Sequence, residues 1–129
     1  MGKQTISPRP GGPPVAVRAG SLIFFSGIDP KSPEAPGGIH AMGEIGKQTE
    51  FVIEKLIRAL GSMGLTLDDV VKVNAYIDDA RKWPEFNAAY NRHFTRDETR
   101  PARATIPAGR FDEGMCVELD VVALAPEGR

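Results

Sequence analysis

The spacing of apolar residues along the chain predicts two helices. Between Glu44 and Met63 apolar residues recur at steps of three and four, which is typical of an amphipathic helix with one buried face. Pro84, followed by apolar residues four positions apart, indicates a second helix from about Arg81 to Phe94. The apolar residues are Ile45, Val52, Ile53, Leu56, Ile57, Leu60 and Met63 in the first helix and Phe86, Tyr90 and Phe94 in the second.

Five strands are predicted around these helices. β-prone runs at 15–17 and 22–25 flank a turn that contains Gly20, which predicts a hairpin. Apolar and polar residues alternate from Val71 to Ile77, and further β-prone segments cover residues 102–106 and 115–124. The order of elements predicts an α+β sandwich, with both helices on one face of a mixed sheet.

Proline and glycine mark the segments in which we expect no regular structure. Residues 1–14 are rich in both and should form an irregular N-terminal arm over the surface, and the same composition predicts a long loop from Asp29 to Gly38. The 129 residues, 41% of them hydrophobic, are enough for one core, so we expect one globular domain over residues 1–129. The final strand is apolar on parts of both faces and needs a second layer, most simply by self-association.

Charge and cysteine content exclude several classes of protein. With a formal net charge of -1, neither nucleic acid nor an anionic membrane is an expected partner. The apolar stretches fall short of the roughly 20 residues that cross a bilayer, and no secretory pattern is present, so we expect a cytoplasmic protein. A single cysteine, Cys116, and two histidines, His40 and His93, give no cluster at metal-ligand spacing, so we expect no metal.

Few residues remain as candidates for chemistry, because motifs for a nucleophile or a phosphate-binding loop are missing from the sequence. Arg103 offers a planar fork of donors that suits a ligand carboxylate, and a salt bridge within the protein is the alternative. Glu118 and Asp120 share one strand face, where a partly desolvated carboxylate could hold a water or move a proton and a solvated one would do neither. Asn87 could orient a ligand through its amide or merely contact water.

An ordered set of motifs from Ala16 to Leu124 resembles the RidA/YjgF family. The resemblance implies a chorismate-mutase-like α+β fold of the bacillus type and a homotrimer whose sheets form a central barrel, with three clefts between neighbouring subunits. The motifs are Ala16-Val17-Arg18-Ala19-Gly20, Phe24-Phe25-Ser26-Gly27, Gln48-Thr49, Leu67-Asp68-Asp69-Val70-Val71-Lys72-Val73, Phe86-Asn87-Ala88-Ala89-Tyr90, Arg100-Pro101-Ala102-Arg103-Ala104-Thr105 and Val117-Glu118-Leu119-Asp120.

The same resemblance implies an activity. Enamines and imines such as 2-aminoacrylate would be hydrolysed to 2-keto acids and ammonia without a metal or organic cofactor. Arg103 would hold the substrate carboxylate, and Glu118 would position the attacking water and shuttle its proton. The residues implied to line the cleft beside them are Thr105, Ser26, Gly27 and Asn87.

Three departures from the family pattern leave the substrate open. Pro13 and Pro14 stand where members with the best-described deaminase activity carry Tyr-Ser, Thr105 stands where a cysteine is frequent, and Ile28 stands where a glutamine is common. Non-catalytic binding of small carboxylates such as 2-keto acids, and another hydrolase activity on the same fold, are therefore kept as alternatives. Ribonuclease activity, credited to some members, is disfavoured by the net charge of -1 and the lack of a basic run.

Overall fold

Six strands form one mixed sheet in the computed structural model, which describes residues 2–126. The sheet order is β1-β2-β3-β6-β4-β5, in which β4 and β5 run parallel and the other neighbours run antiparallel. The predicted hairpin is confirmed, and Gly20 makes its turn with a φ of 62°. The strands are β1 (Gln4–Ile6), β2 (Ala16–Ala19), β3 (Leu22–Phe25), β4 (Val70–Ile77), β5 (Ala102–Pro107) and β6 (Val117–Leu124).

Two α-helices cover one face of this sheet, as predicted: α1 (Ile45–Gly61) and α2 (Trp83–Asn91). The bounds predicted for the second helix are wrong at both ends. Its start is displaced because the Asp79 carboxylate accepts from the Arg81 backbone N–H at 2.8 Å and caps a 3₁₀ turn over Ala80–Lys82. At the other end Phe94 is buried beyond the last helical turn, so its place in the apolar spacing reflects packing rather than helix.

The prediction of a wholly irregular N-terminal arm is also wrong. Gln4–Ile6 forms the edge strand β1 and pairs with β2, because the prolines begin at Pro8 and leave these three residues free to extend. The segment from Asp29 to Gly38, predicted to be a loop, contains one 3₁₀ turn over Pro36–Gly38, in which Gly37 has a φ of 70°. Met1, part of the predicted arm, lies outside the described residues.

The core lies between the helices and one face of the sheet. On β6 the alternate residues Val117, Leu119, Val121 and Ala123 are fully buried against α1 and its neighbours. The opposite face of the sheet carries no helix in the described chain, and apolar side chains lie on it in pairs. Leu22 stands opposite Leu124, and Phe24 stands opposite Val122. The exposed fractions are 36% for Leu22, 42% for Leu124 and 45% for Phe24. We refer to this surface as the outer face.

Within residues 2–126, no helix combines the length and the apolar character that a membrane crossing would require.

Candidate active site

Arg103 lies on β5, the edge strand at the end of the sheet opposite β1, and faces the helices. It stands opposite the buried Val73 of β4, so both side chains share that face. Its guanidinium carbon lies 5.4 Å from the ring centre of Phe86 and 4.7 Å from that of Tyr90, both on α2. Rings at these distances attract the cation and restrict the plane of its donors.

The Arg103 guanidinium has no carboxylate partner in the described chain. None of the ion pairs and hydrogen bonds formed among residues 2–126 includes it. The structural salt bridge that was the alternative interpretation of this arginine is therefore not formed with any carboxylate among residues 2–126. A half-buried cation that contacts rings but no anion has its donor fork available to a ligand.

Two buried hydroxyl groups near this arginine also lack partners. Thr105, two residues along β5, faces the same side as Arg103, and its Oγ1 makes no hydrogen bond with residues 2–126; the same is true of the Tyr90 hydroxyl. Burial raises the pKa of Tyr90 to about 12, although the charges of Arg103 and Arg100 oppose the rise. The hydroxyl therefore stays protonated at neutral pH and can donate. An unsatisfied buried polar group costs about 1–3 kcal/mol, so a ligand that satisfied these atoms would gain affinity.

Asn87 directly follows Phe86 on α2, the helix that also carries Tyr90. Its side chain is half-buried, and its amide forms no hydrogen bond with residues 2–126. Both interpretations of Asn87 from the sequence, ligand contact and simple solvation, therefore stay predictions.

Glu118 lies on β6 and faces the outer side of the sheet, opposite Tyr76 on β4. Asp120 shares this face, as predicted, and accepts a hydrogen bond from Asn74 Nδ2 at 3.3 Å. Burial raises the pKa of Glu118; the charges of Asp29 and Asp120 add to the rise, and Lys31 opposes it. Such a carboxyl holds its proton to a higher pH than an exposed glutamate, which suits a group that must both accept and donate one.

The segment Ser26-Gly27 lies directly against this carboxylate. A Cβ on residue 27 would collide with the Glu118 carboxylate, 2.9 Å from its Cδ, so glycine is what allows the close approach. Paired backbone hydrogen bonds between Ile28 and Leu119, of 2.8 and 2.9 Å, hold the segment beside β6. The Ser26 hydroxyl donates to the Pro14 carbonyl at 2.6 Å. Pro14, one of the departures from the family pattern, thus anchors this segment through its backbone.

The predicted site residues therefore form two groups rather than one. Arg103 and Thr105 face the helices, whereas Glu118 and Gly27 lie at the outer face, with β4 between their strands. Sequence reasoning did not identify Phe86 and Tyr90 as contacts of Arg103. Their four-residue spacing indicated that both rings are buried on one helix face, but it did not indicate their packing partners.

Cys116 shows a second contact that local sequence did not indicate. The fold brings Lys82 Nζ within 3.4 Å of its Sγ. Burial, helped by the Asp78 charge, nevertheless raises the pKa of the thiol, although Lys82 opposes the rise. Cys116 is thus a poor nucleophile.

Comparison with known proteins gives one consistent result. Residues 12–125 match the family model described as Endoribonuclease L-PSP. A RutC family protein of Pyrococcus abyssi is 34% identical over 128 residues, which cover 95% of this chain and 98% of that protein. The crystal structure of yeast Mmf1 superposes with a TM-score of 0.82 at 25% identity, covering 97% of this chain and 100% of that one. A Rid family protein of Yersinia pestis, YyfA, gives a TM-score of 0.82 at 25% identity, with 96% and 100% coverage.

Proposed function

Because the chain belongs to the Endoribonuclease L-PSP family, whose members include RutC and Rid proteins, we propose that it hydrolyses reactive enamines and imines to 2-keto acids and ammonia. The observation that carries the proposal is the Arg103 guanidinium, which rests on two aromatic rings and has no anion within residues 2–126. The substrates we propose are small carboxylates of the 2-aminoacrylate type. The reaction needs no metal or organic cofactor and takes place in the cytoplasm.

Arg103 binds the substrate in this proposal. Its donor fork takes the substrate carboxylate in bidentate fashion, with the ring contacts of Phe86 and Tyr90 holding the guanidinium plane in place. Thr105 Oγ1 is one buried atom that a bound ligand could satisfy. The imine carbon, directly bonded to the carboxylate, is thereby held at a fixed distance from the arginine.

Glu118 supplies the proton transfers. The 2-aminoacrylate enamine takes a proton from water at its methylene carbon and loses one from its nitrogen, which gives 2-iminopropanoate. Water then attacks the imine carbon while the Glu118 carboxylate accepts one proton from the water and passes it to the nitrogen, which gives a carbinolamine. The carbinolamine hydroxyl gives its remaining proton to the Glu118 carboxylate, which delivers it to the amino nitrogen, so that the C–N bond breaks, ammonia leaves and the carbonyl forms. The raised pKa of Glu118 supports this double role, because its proton affinity is closer than that of an exposed glutamate to the proton affinities of the water and the nitrogen between which it moves protons.

The two groups of residues meet only if chains assemble, so we propose a homotrimer with its clefts between subunits. The apolar pairs on the outer face support assembly, because a contiguous apolar surface of this kind marks an interface. Light scattering at micromolar concentration should give about three times the 13.9 kDa chain mass. A monomeric mass together with imine hydrolysis would contradict the shared cleft.

The activity itself is tested by the lifetime of an imine. A serine dehydratase generates 2-aminoacrylate in situ, and absorbance follows the decay of its imine with and without this protein. We expect a shorter lifetime, and a fall of about 100-fold or more in catalysed decay for Glu118→Gln, the range usual for a positioned acid–base group. Glu98→Gln, on an exposed residue without hydrogen bonds in the described chain, is the matched control. An unchanged imine lifetime with the parent protein would refute the proposal.

A second candidate function is binding of 2-keto acids without turnover. Pro13 and Pro14 favour it, because they leave no side-chain hydroxyl at positions where active relatives carry two, and Pro14 contributes only its carbonyl, to Ser26. Binding of pyruvate by a parent protein that leaves imine lifetimes unchanged would select this function.

A further inference from the structure

A second cluster of cations lies away from Arg103, around a cavity of about 300 Å³ between the end of β3 and helix α1. Arg9, Lys55 and Arg58 line it, together with Ser26 and Gly27. Arg9 reaches the cavity because the proline-rich arm folds back: the Val15 backbone N–H donates to the Ser7 carbonyl at 3.2 Å. The arm thus closes one side of a cavity whose other side is helical.

Lys55 is already held by the protein. Its Nζ donates to the carbonyl oxygens of Asp29 and Lys31, at 2.7 Å each, and lies 3.8 Å from the Asp29 carboxylate. The pKa of Lys55 is lowered mainly by burial; Asp29 opposes this, while the charges of Arg58 and Arg9 lower it further. The three cations are therefore near enough to destabilise one another, and an anion between them would relieve that repulsion.

Arg9 and Arg58, in contrast, keep their donors free. No carboxylate of residues 2–126 lies within salt-bridge distance of either guanidinium, and neither side chain donates a hydrogen bond within that range. The one acidic residue that lines the cavity is Asp29, and it is engaged by Lys55. Three positive charges and one negative charge therefore line the cavity, which leaves a local excess of positive charge although the formal net charge of the protein is -1. This local excess matches the charge of a dianion.

We propose that this cavity binds a small dianion of the phosphate class, gripped by the guanidinium forks of Arg9 and Arg58 with the Lys55 ammonium behind them. Guanidinium forks match the paired oxygens of a phosphate, and the volume also accommodates a small organic group attached to it. The site is separate from Arg103 within one chain, because β6 and β4 lie between β3 and β5. It does not depend on the deaminase proposal.

Inorganic phosphate is the probe, titrated calorimetrically into the full-length protein at constant ionic strength, with acetate as the monoanion for comparison. Arg9→Gln/Arg58→Gln removes both guanidinium forks from exposed residues whose side chains form no hydrogen bond or ion pair with residues 2–126. Lys3→Gln/Arg110→Gln is the matched control, because it removes the same charge from two exposed residues without hydrogen bonds in the described chain. Lys55 is left intact because it anchors the loop at Asp29 and Lys31.

We expect phosphate to bind the parent and the control alike, and the Arg9/Arg58 double variant at least about tenfold more weakly, since each lost partner is a hydrogen bond to a charged group. Arg103→Ala should bind phosphate as the parent does. Three results would overturn the proposal: no phosphate binding to the parent at about 10 mM, equal binding by the double variant, or loss of binding in Arg103→Ala. Acetate binding to Arg103→Ala, in which the proposed carboxylate anchor is removed, as tight as phosphate binding to the same variant would overturn the preference for a dianion. Melting curves of each variant confirm that the fold is retained.

Discussion

Arg103→Lys separates charge from geometry in the proposed carboxylate anchor. Lysine keeps the positive charge but replaces a planar fork with a compact ammonium that cannot form two parallel hydrogen bonds to one carboxylate. It also gives up the cation–π contacts of the guanidinium, whose carbon lies 4.7 Å from the Tyr90 ring centre and 5.4 Å from that of Phe86. A purely electrostatic role would survive the substitution, and a bidentate anchor would not.

The size of the effect follows from the hydrogen bonds lost. A hydrogen bond to a charged group contributes about 1.5–3 kcal/mol, so losing one of two parallel bonds weakens binding by about 10- to 150-fold. Arg103→Ala loses both bonds and the charge, and should bind still more weakly. Stability changes less, because the side chain is half-buried on an edge strand and loses mainly its ring contacts. Those contacts are worth about 0.5–2 kcal/mol, which corresponds to a few degrees in Tm.

Calorimetric titration with pyruvate and 2-ketobutyrate measures the binding, and melting curves measure the stability. Arg100→Lys is the control: it makes the same substitution three residues away, at a side chain that bonds to Asp97 at 3.2 Å and to Asn91 at 3.1 Å. Its affinity should equal that of the parent. If Arg103→Lys binds both 2-keto acids as tightly as the parent, bidentate anchoring is the wrong account of this residue.

Two further predictions concern Glu118. Gly27→Ala should lower imine hydrolysis by about tenfold or more with little change in Tm, because the new Cβ must displace the Glu118 carboxylate. Gly61→Ala is the control and should leave hydrolysis unchanged, because a Cβ at residue 61 meets open space. Full activity in Gly27→Ala would contradict the packing of Gly27 against Glu118. Since the pKa of Glu118 is raised above its ordinary value of 4.5, its contribution to stability is present below that pH and is lost as pH rises through the folded-state pKa. Glu118→Gln should therefore gain Tm relative to the parent between pH 4 and pH 7, and a difference that does not change with pH would contradict the raised pKa of Glu118.

The parts of the fold that periodicity specifies were predictable from the sequence. Helix α1 and strands β4 and β6 follow their apolar spacing to within two residues, because one face of each is buried along its whole length. Strand β1 was not predicted because three residues are too few to show an alternation, and its pairing with β2 is a tertiary contact. The second helix was predicted too long because Phe94 keeps the spacing of buried residues after the helix has ended.

The sequence predicted candidate site residues but not their contacts. Arg103 and Glu118 were proposed from short motifs and stay predictions, and the rings beside Arg103 come from a helix whose packing partner no local pattern reveals. The cavity of the further site shows the same limit. Lys55 and Arg58 are three residues apart on α1 and therefore lie on neighbouring parts of its surface, whereas Arg9 joins them through the path of a proline-rich arm that local sequence does not reveal.

Strand register decides how the two halves of the proposed active site relate to each other. Arg103 stands opposite Val73 and Glu118 opposite Tyr76, and these partners are three residues apart on the same strand. Side chains alternate between faces along a strand, so an odd separation places Arg103 and Glu118 on opposite faces. A register shift of one residue would bring them to one face, but it would also expose the buried Val73 or Val117 rows, and is therefore excluded by the core.

Under the proposed mechanism, a single chain would bind a 2-keto acid through Arg103 but would not bring Glu118 to it. Hydrolysis would then require assembly, whereas binding of the 2-keto acid would not. An outer-face variant such as Phe24→Asp, which places a charge in the apolar stripe, should yield a folded monomer that loses imine hydrolysis and keeps part of its 2-keto acid binding. Light scattering, imine lifetimes and titration with pyruvate measure the three properties. A monomer that retains parental hydrolysis would show that Glu118 and Arg103 do not act on one substrate.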